Sequence, residues 1–287
     1  MCRTSGTYSP VGHDNATAIK PNLKVRSKSQ AKGGCLIVMS QKRTRLGRVA
    51  QKIVIAGCLF IMTCSTLGWA ETPSFELKVE QVTSGAKHHF FGYIGQCQTI
   101  PWNASDRYIL GMEIGKIDRM PKQEEAATII LVDTTENNKI IRVEKTHAWN
   151  PQQGTMFYWN PQAAETQFFF NDRDVKTGKV FAVLYDIEKK ERVREYRYDK
   201  TPIGNSGVAQ NGGSFLGLNY GRLTRLRLVT GYPGSWDWSK DDDAPDYDGI
   251  FVVDIKTGKK RLLVSYRQLA EQLQQRGLNI EGTALFI

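Results

Sequence analysis

Phe251-Val252-Val253-Asp254-Ile255-Lys256-Thr257-Gly258-Lys259-Lys260-Arg261-Leu262-Leu263-Val264 reads as a β-hairpin: an apolar run, a polar turn and a second run. Gly258 supplies the positive φ that a tight hairpin turn asks for. The same arrangement occurs twice earlier. Ile129-Ile130-Leu131-Val132-Asp133 leads through Thr134 to Lys139 into Ile140-Ile141-Arg142-Val143, and Val183-Leu184-Tyr185-Asp186 leads through Glu188 to Glu191 into Arg192-Val193-Arg194-Glu195-Tyr196. The aspartates that open these turns, Asp133, Asp186 and Asp254, stand 53 and 68 residues apart.

Working outward from the hairpins, each unit holds two earlier strands. Ahead of the first lie His88-His89-Phe90-Phe91-Gly92-Tyr93 and a strand that follows the Asn103–Arg107 turn and runs to Met112; a charged loop, Glu113 to Ala126, separates them from the hairpin. The second unit opens with Met156-Phe157-Tyr158-Trp159 and continues, past the Asn160-Pro161 turn, with Phe168 to Arg173. The third supplies Phe215 to Tyr220 and then Arg222 to Leu228, and a Gly/Pro/Trp/Asp-rich insertion, Gly231 to Gly249, precedes its hairpin. That insertion accounts for the longer second interval. Four short strands recurring every 50-odd residues predict an all-β protein built of β-propeller blades, with a two-sheet sandwich as the alternative. Tyr266 to Arg276 is the one helix the sequence predicts, with Leu269 and Leu273 on a shared face and Gly277 at a C-cap position. Closed propellers have four to eight blades. Three units therefore predict an incomplete ring, either a piece of a longer propeller or one closed by oligomerisation, with poor solubility for residues 71–287 through exposed strand edges.

Charge divides the 287-residue chain differently. The first 70 residues hold 11 of the 39 Lys and Arg and only one of the 29 acidic residues, Asp14. From Glu71 onward the formal charges balance, so the net +10 belongs to the leader and no basic footprint for nucleic acid lies on the body. Within the leader, Lys42, Arg43, Arg45, Arg48 and Lys52 precede an apolar run from Ile53 to Thr63, and Gly68-Trp69-Ala70 presents small residues for cleavage after Ala70. This is the pattern of a secretory signal. It predicts a non-native or disordered extension over 1–38 with translation starting at Met39, a signal over 39–70, and an exported domain over 71–287 without a membrane span once cleaved. A retained anchor is disfavoured by Thr63, Ser65 and Thr66, and a lipid attached to Cys58 in Ile55-Ala56-Gly57-Cys58 is the minor alternative. Cys2, Cys35, Cys58 and Cys64 all lie in the leader, so Cys97 alone would remain and the mature domain would rely on its core rather than on disulfides.

Several separated motifs bear a likeness. His88-His89-Phe90-Phe91-Gly92-Tyr93 with Pro101-Trp102-Asn103 and Arg107-Tyr108-Ile109-Leu110, then Ala148-Trp149-Asn150-Pro151-Gln152-Gln153-Gly154, Asn171-Asp172-Arg173, Leu218-Asn219-Tyr220-Gly221-Arg222-Leu223 and Asp248-Gly249-Ile250 resemble, in order, a family of bacterial TolB-like propellers related to oligogalacturonate lyase. The resemblance covers about Lys87 to Leu273. It implies the propeller fold and further blades after Ile287. It also implies a divalent metal held by histidines and a glutamine in later blades of the lyase proper, a cluster nothing in this chain matches.

Motifs with chemistry of their own are few. The chain has no phosphate-binding glycine loop, dinucleotide fingerprint, His-Glu-x-x-His helix, paired-cysteine site or Gly-x-Ser-x-Gly. The candidate ligand-binding residues are His88, His89, Tyr93, Asn171, Asp172, Arg173, Asn219, Arg222, Trp236 and Trp238; no catalytic residue, metal ligand or cofactor is identifiable. Adjacent strand histidines face opposite ways, so His88 and His89 cannot share a pocket. His147 is a third histidine of interest, although metal binding needs convergence that the sequence does not demonstrate. Arginine beside Asp or Asn suits carboxylates and sugar hydroxyls, and equally suits bridges between blades. Trp149 and Trp159 are expected to pack between blades, whereas Trp236 and Trp238, in the insertion, are the expected ligand contacts. Asp241-Asp242-Asp243, Asp246 and Asp248 lack the calcium-loop spacing and predict a solvated acidic loop. The sum is an exported propeller that binds a carbohydrate or other polyanion, for example a polyuronate. A lyase with its catalytic groups in missing blades and a protein-interaction scaffold are the alternatives.

Overall fold

In a computed structural model of the protein, the structure describes residues 78–92 and 99–286. The leader, residues 71–77, Tyr93 and Cys97 lie outside the described residues. The described chain forms three four-stranded antiparallel sheets, each a simple meander. Blade 1 is β1 (His88–Phe90), β2 (Tyr108–Ile114), β3 (Ala127–Asp133) and β4 (Lys139–Thr146). Blade 2 is β5 (Tyr158–Trp159), β6 (Gln167–Arg173), β7 (Val180–Asp186) and β8 (Glu191–Tyr196). Blade 3 is β9 (Gly204–Val208), β10 (Ser214–Leu218), β11 (Gly249–Asp254) and β12 (Lys260–Ser265). Helix α1 (Tyr220–Leu226) and a 3-10 turn (Leu228–Thr230) interrupt blade 3, and helix α2 (Tyr266–Gln275) follows it. The all-β, propeller-like architecture is therefore present, with three blades among the described residues.

The three expected hairpins join the third and fourth strand of each blade. Their aspartates do the same work: each carboxylate oxygen receives backbone N–H groups from the turn, Thr135 for Asp133, Glu188 and Lys189 for Asp186, and Thr257 for Asp254. Positive φ falls at Asn137 and Asn138, at Lys190, and at Gly258. All three hairpins also carry a register shift, between Ile129 and Ile130, Leu184 and Tyr185, and Ile250 and Phe251, a local irregularity that increases strand twist. One near-copy of the opening stretch sits elsewhere. Asp174-Val175-Lys176-Thr177-Gly178-Lys179 repeats the turn bonds of Asp254–Lys259 and adds one from the Lys176 N–H, yet it joins β6 to β7 at the opposite end of its blade.

Two strand readings are corrected. Arg222 to Leu228 is not a strand: Asn219 caps α1 by accepting the Arg222 N–H, and Tyr220 and Leu223 face inward three residues apart. Gly221 permits this, since a Cβ there would lie 2.2 Å from the Trp236 carbonyl oxygen. Blade 3 instead takes its first strand from Gly204-Asn205-Ser206-Gly207-Val208, whose polarity hid it. The expected helix over Tyr266–Arg276 is present, with a Ser265/Gln268 capping box, but α1 makes it the second helix rather than the single one.

Period-2 burial builds two seams. Leu110 and Met112 of β2 and Ile129 and Leu131 of β3 meet Phe168, Phe170, Val183 and Tyr185 of blade 2. The alternate residues of blade 2, Phe169, Ala182 and Leu184, meet Phe215, Phe251 and Val253 of blade 3. Blade 2 is thus apolar on both faces, which is why Phe168 to Phe170 and Val180 to Tyr185 read as unbroken apolar runs. On the far face of blade 1 lies a smaller cluster of Ile109, Ile130 and Val132, and on that of blade 3 Leu216 and Leu263 are exposed. Trp149 and Trp159 are buried in the first seam, as expected.

Candidate functional site

In a meander, the links between second and third strands gather at one end of the blade and the tight hairpins at the other. The first end is here called the loop face. It collects the Gly115–Ala126 loop, the Asp174–Lys179 turn, the connections after β4 and β8, and the whole Gly231–Gly249 insertion. Bonds among these segments bind the face together: the Asn150 amide donates to the Gly231 carbonyl, and the Trp236 N–H donates to the Gly178 carbonyl.

Three of the candidate residues finish β6 at this face. Asn171 is fully buried; its amide donates to the Asn205 carbonyl at 2.8 Å and to the Tyr232 hydroxyl at 2.9 Å, and its side-chain oxygen accepts the Asn205 N–H. Asp172 accepts the backbone N–H groups of His147 and Arg173 and pairs with Arg192 at 2.9 Å. Arg173 is buried, donates to the carbonyls of Gln123 and Gly234, and makes no ion pair among the described residues; burial pushes its guanidinium below its ordinary value. It ties blade 2 to the Gly115–Ala126 loop and to the insertion.

Asn219 and Arg222 do the equivalent for blade 3. The Asn219 amide donates to the Asp237 and Asp248 carboxylates at 2.9 and 2.8 Å, and Ser239 donates to Asp248 at 2.6 Å. Arg222, also buried, donates to the carbonyls of Ser239, Asp242, Asp243 and Leu285 and stacks on Tyr266. Arg225 holds the other side of Asp237 at 2.7 Å. Asp248 therefore departs from the solvated acidic loop expected for it: it is inside this network, and burial pushes its carboxyl up. Asp241, Asp243 and Asp246 are exposed. Asn171, Asn219 and Arg222 spend their side-chain donors on the protein itself, and so does Arg173 apart from its buried Nε, which has no partner among the described residues. Their placement makes them supports of the loop face rather than its contact surface.

The two insertion tryptophans part company. Trp238 is half-buried beside Phe251 and donates its indole N–H to the Pro202 carbonyl at 3.0 Å. Trp236 is 41% exposed, and the Lys179 ammonium lies 5.9 Å from its ring centroid. Beneath it the Gly178 turn fits closely, since a Cβ on Gly178 would meet the Trp236 backbone N at 3.0 Å. Tyr247, 49% exposed, packs against Trp238 with ring centroids 6.0 Å apart. Tyr247 was missed in the sequence because nothing local marks it. Its signal was only the aromatic content of the insertion.

The histidines are dispersed. His88 is exposed, while the His89 side chain is buried with its Nε2 at 3.5 Å from Glu113. Arg142 and Lys87 also bind Glu113 at 2.7 and 2.9 Å, and the Arg142 guanidinium above all holds that carboxyl at about 2, well below its ordinary 4.5. His147 stands 3.9 Å from Asp172. Among the described residues no group of three His, Cys, Asp or Glu side chains converges as a metal site would.

Comparisons with known proteins add little to this geometry. No family model matches the chain, and no curated protein does. Among solved structures it is similar to the apo form of the AtxE2 isopeptidase, at 12% identity and TM-score 0.34 over 66% of this chain and 32% of that one. It is also similar to an oligogalacturonate lyase in complex with manganese, at 11% identity and TM-score 0.25 over 57% of this chain and 52% of that one. The chain thus spans about a third of the first and half of the second, and the likeness reaches no further than a propeller-like fold.

Proposed function

We propose that the domain is an exported propeller-type module that binds an acidic carbohydrate, such as a polyuronate, on its loop face. The observation that supports this most is Trp236, a large exposed indole on an insertion held in place from below by Arg173 and Arg222, with the Lys179 ammonium beside the ring. A sugar ring stacks on such a surface through its apolar face, and a ring carboxylate meets the ammonium. Tyr247 extends the aromatic surface of the same insertion.

The test is a glycan array with the full chain, followed by titration with oligogalacturonate. Binding that falls about three- to tenfold in Trp236→Ala, and falls again with added salt or in Lys179→Met, is expected. Equal binding by wild type and Trp236→Ala would contradict the reading, and cleavage of the uronate would replace a binding module with a lyase. Export rests on the Lys42–Ala70 pattern alone. No described helix is long and apolar enough to cross a membrane. A mature N-terminus at Glu71 in protein isolated from cells is the expected result, and retention of the leader the contrary one.

A further inference from the structure

The two seams are built on one plan but end differently at the hairpin face. In blade 2, Arg194 of β8 lies opposite Leu184, and its guanidinium crosses to the carbonyls of Ile255 and Lys256 at 2.9 and 2.6 Å. These are the first two residues after Asp254. In blade 1 the residue opposite Leu131, which corresponds to Leu184, is Ile141. An isoleucine cannot reach the corresponding carbonyls, those of Ile187 and Glu188 after Asp186. The first seam is left with a cleft of about 760 Å³, within the size range of ligand pockets.

Its floor is apolar: Leu131, Ile141, Val143, Tyr185 and Ile187. Two carboxylates on its rim have no ion pair among the described residues. Arg107 is engaged by Asp133 at 2.7 Å, and Arg142 shares Glu113 with Lys87, at 2.7 and 2.9 Å. Glu165 is held in place by the Asn103 amide at 2.8 Å and the Ser105 hydroxyl at 2.7 Å, with no cation among the described residues. Glu188 is exposed and equally without an ion pair, against the single Lys190. A greasy trough edged by two unpaired carboxylates suits an apolar ligand that carries a cation. We infer that the cleft between blades 1 and 2 is a second site, which docks a peptide segment carrying large aliphatic side chains beside a lysine or arginine. The aliphatic groups cover Ile141 and Val143, and the cation meets Glu165 and Glu188. This site differs from the loop face in place and in sign of charge, and does not depend on the glycan reading.

The test uses the full chain and two acetylated, amidated pentapeptides, Gly-Leu-Arg-Leu-Gly and Gly-Leu-Glu-Leu-Gly, followed by calorimetry. The arginine peptide is expected to bind at least about tenfold more tightly than the glutamate peptide, a difference of about 1.4 kcal/mol. Glu165→Gln and Glu188→Gln, both exposed rim changes, should each weaken it about two- to fivefold. Ile141→Arg copies the closed seam and should abolish binding while keeping a cooperative melt. Absence of binding at millimolar peptide, equal binding of the two peptides, or rim variants that bind like wild type would overturn the inference. So would an acidic or neutral oligosaccharide that competes for the cleft.

Discussion

The first and second seams share a scaffold and differ at a few side chains. Both have an aromatic centre, Phe168 with Phe170 and Tyr185 in one, Phe169 with Tyr196 and Phe215 in the other. The second seam is sealed at the hairpin face by long side chains reaching to a single turn: Arg194 and Tyr196 to the Ile255 carbonyl, and Tyr198 to the Gly258 carbonyl. Gly258 makes room, because a Cβ there would lie 2.7 Å from the Arg194 guanidinium. Lys190 occupies the corresponding turn position in blade 2, at φ 57 against 72 for Gly258. The first seam is instead tied at the loop face, where Arg192 of blade 2 joins Asp172 to Glu144 of blade 1. Blade packing is thus set by the strand interiors, and whether a seam is a wall or a cleft by one or two positions on the outermost strand.

The largest effect addresses what the seams share. Phe168 and Phe169 are adjacent, fully buried and directed to opposite seams. Phe168→Ala and Phe169→Ala should each lower the unfolding free energy by about 3–5 kcal/mol in denaturant titrations; a change below about 1 kcal/mol in either would mean that seam is not a packed core. A smaller effect addresses where they differ. Arg194→Met removes charged donors from two carbonyls and should cost about 1.5–3 kcal/mol, while Ile141→Met at the matching place should cost less than about 1.5 kcal/mol. Equal losses would erase the distinction. The smallest lies outside both seams, at Glu113. Its carboxyl is held at about 2 in the fold against 4.5 ordinarily, so it stabilises above pH 4.5 and that contribution is lost as pH falls toward 2. Glu113→Gln should flatten the acid limb of the stability profile by a modest amount, because Lys87 and Arg142 are more than half exposed.

How far the chain was legible follows from how local each determinant is. The hairpins at Asp133, Asp186 and Asp254 could be read because a turn is closed by residues within a few positions of one another. The same locality misleads at Asp174: Lys176-Thr177-Gly178-Lys179 specifies a turn but not which pair of strands it joins. Arg222 to Leu228 was misread because its helical state depends on the Asn219 cap and on burial of Tyr220 and Leu223 beneath the insertion. The strand at Gly204–Val208 was invisible because Asn205 is stabilised by bonds to Asn171 and Met156 rather than by its own apolarity. In the candidate site, the polar residues at strand ends, read from the sequence as ligand-binding candidates, hold the loop face together instead. Their partners are largely backbone carbonyls, which no side-chain pattern reveals. The cleft depends on a comparison of cross-strand pairs, Leu131 with Ile141 and Leu184 with Arg194, that exists only once the register is known.

The contrast turns on the second seam being closed, and Lys260 reports on that directly. Its ammonium lies 4.5 Å from the ring centroids of both Tyr198 and Phe251, donates to the Thr201 carbonyl and hydroxyl, and is pushed down by burial to about 8 from 10.5. The same enclosure pushes the Tyr198 hydroxyl up to about 12. Between pH 8 and 10.5 the unfolded chain holds the Lys260 proton more tightly than the fold does, so stability contributed at this position rises with pH. The measurement is the unfolding free energy of wild type minus that of Lys260→Met across this range. A difference that moves in favour of wild type as pH rises is the predicted result. A difference that stays level, or moves the other way, would mean that the ammonium is solvated and the second seam is as open as the first.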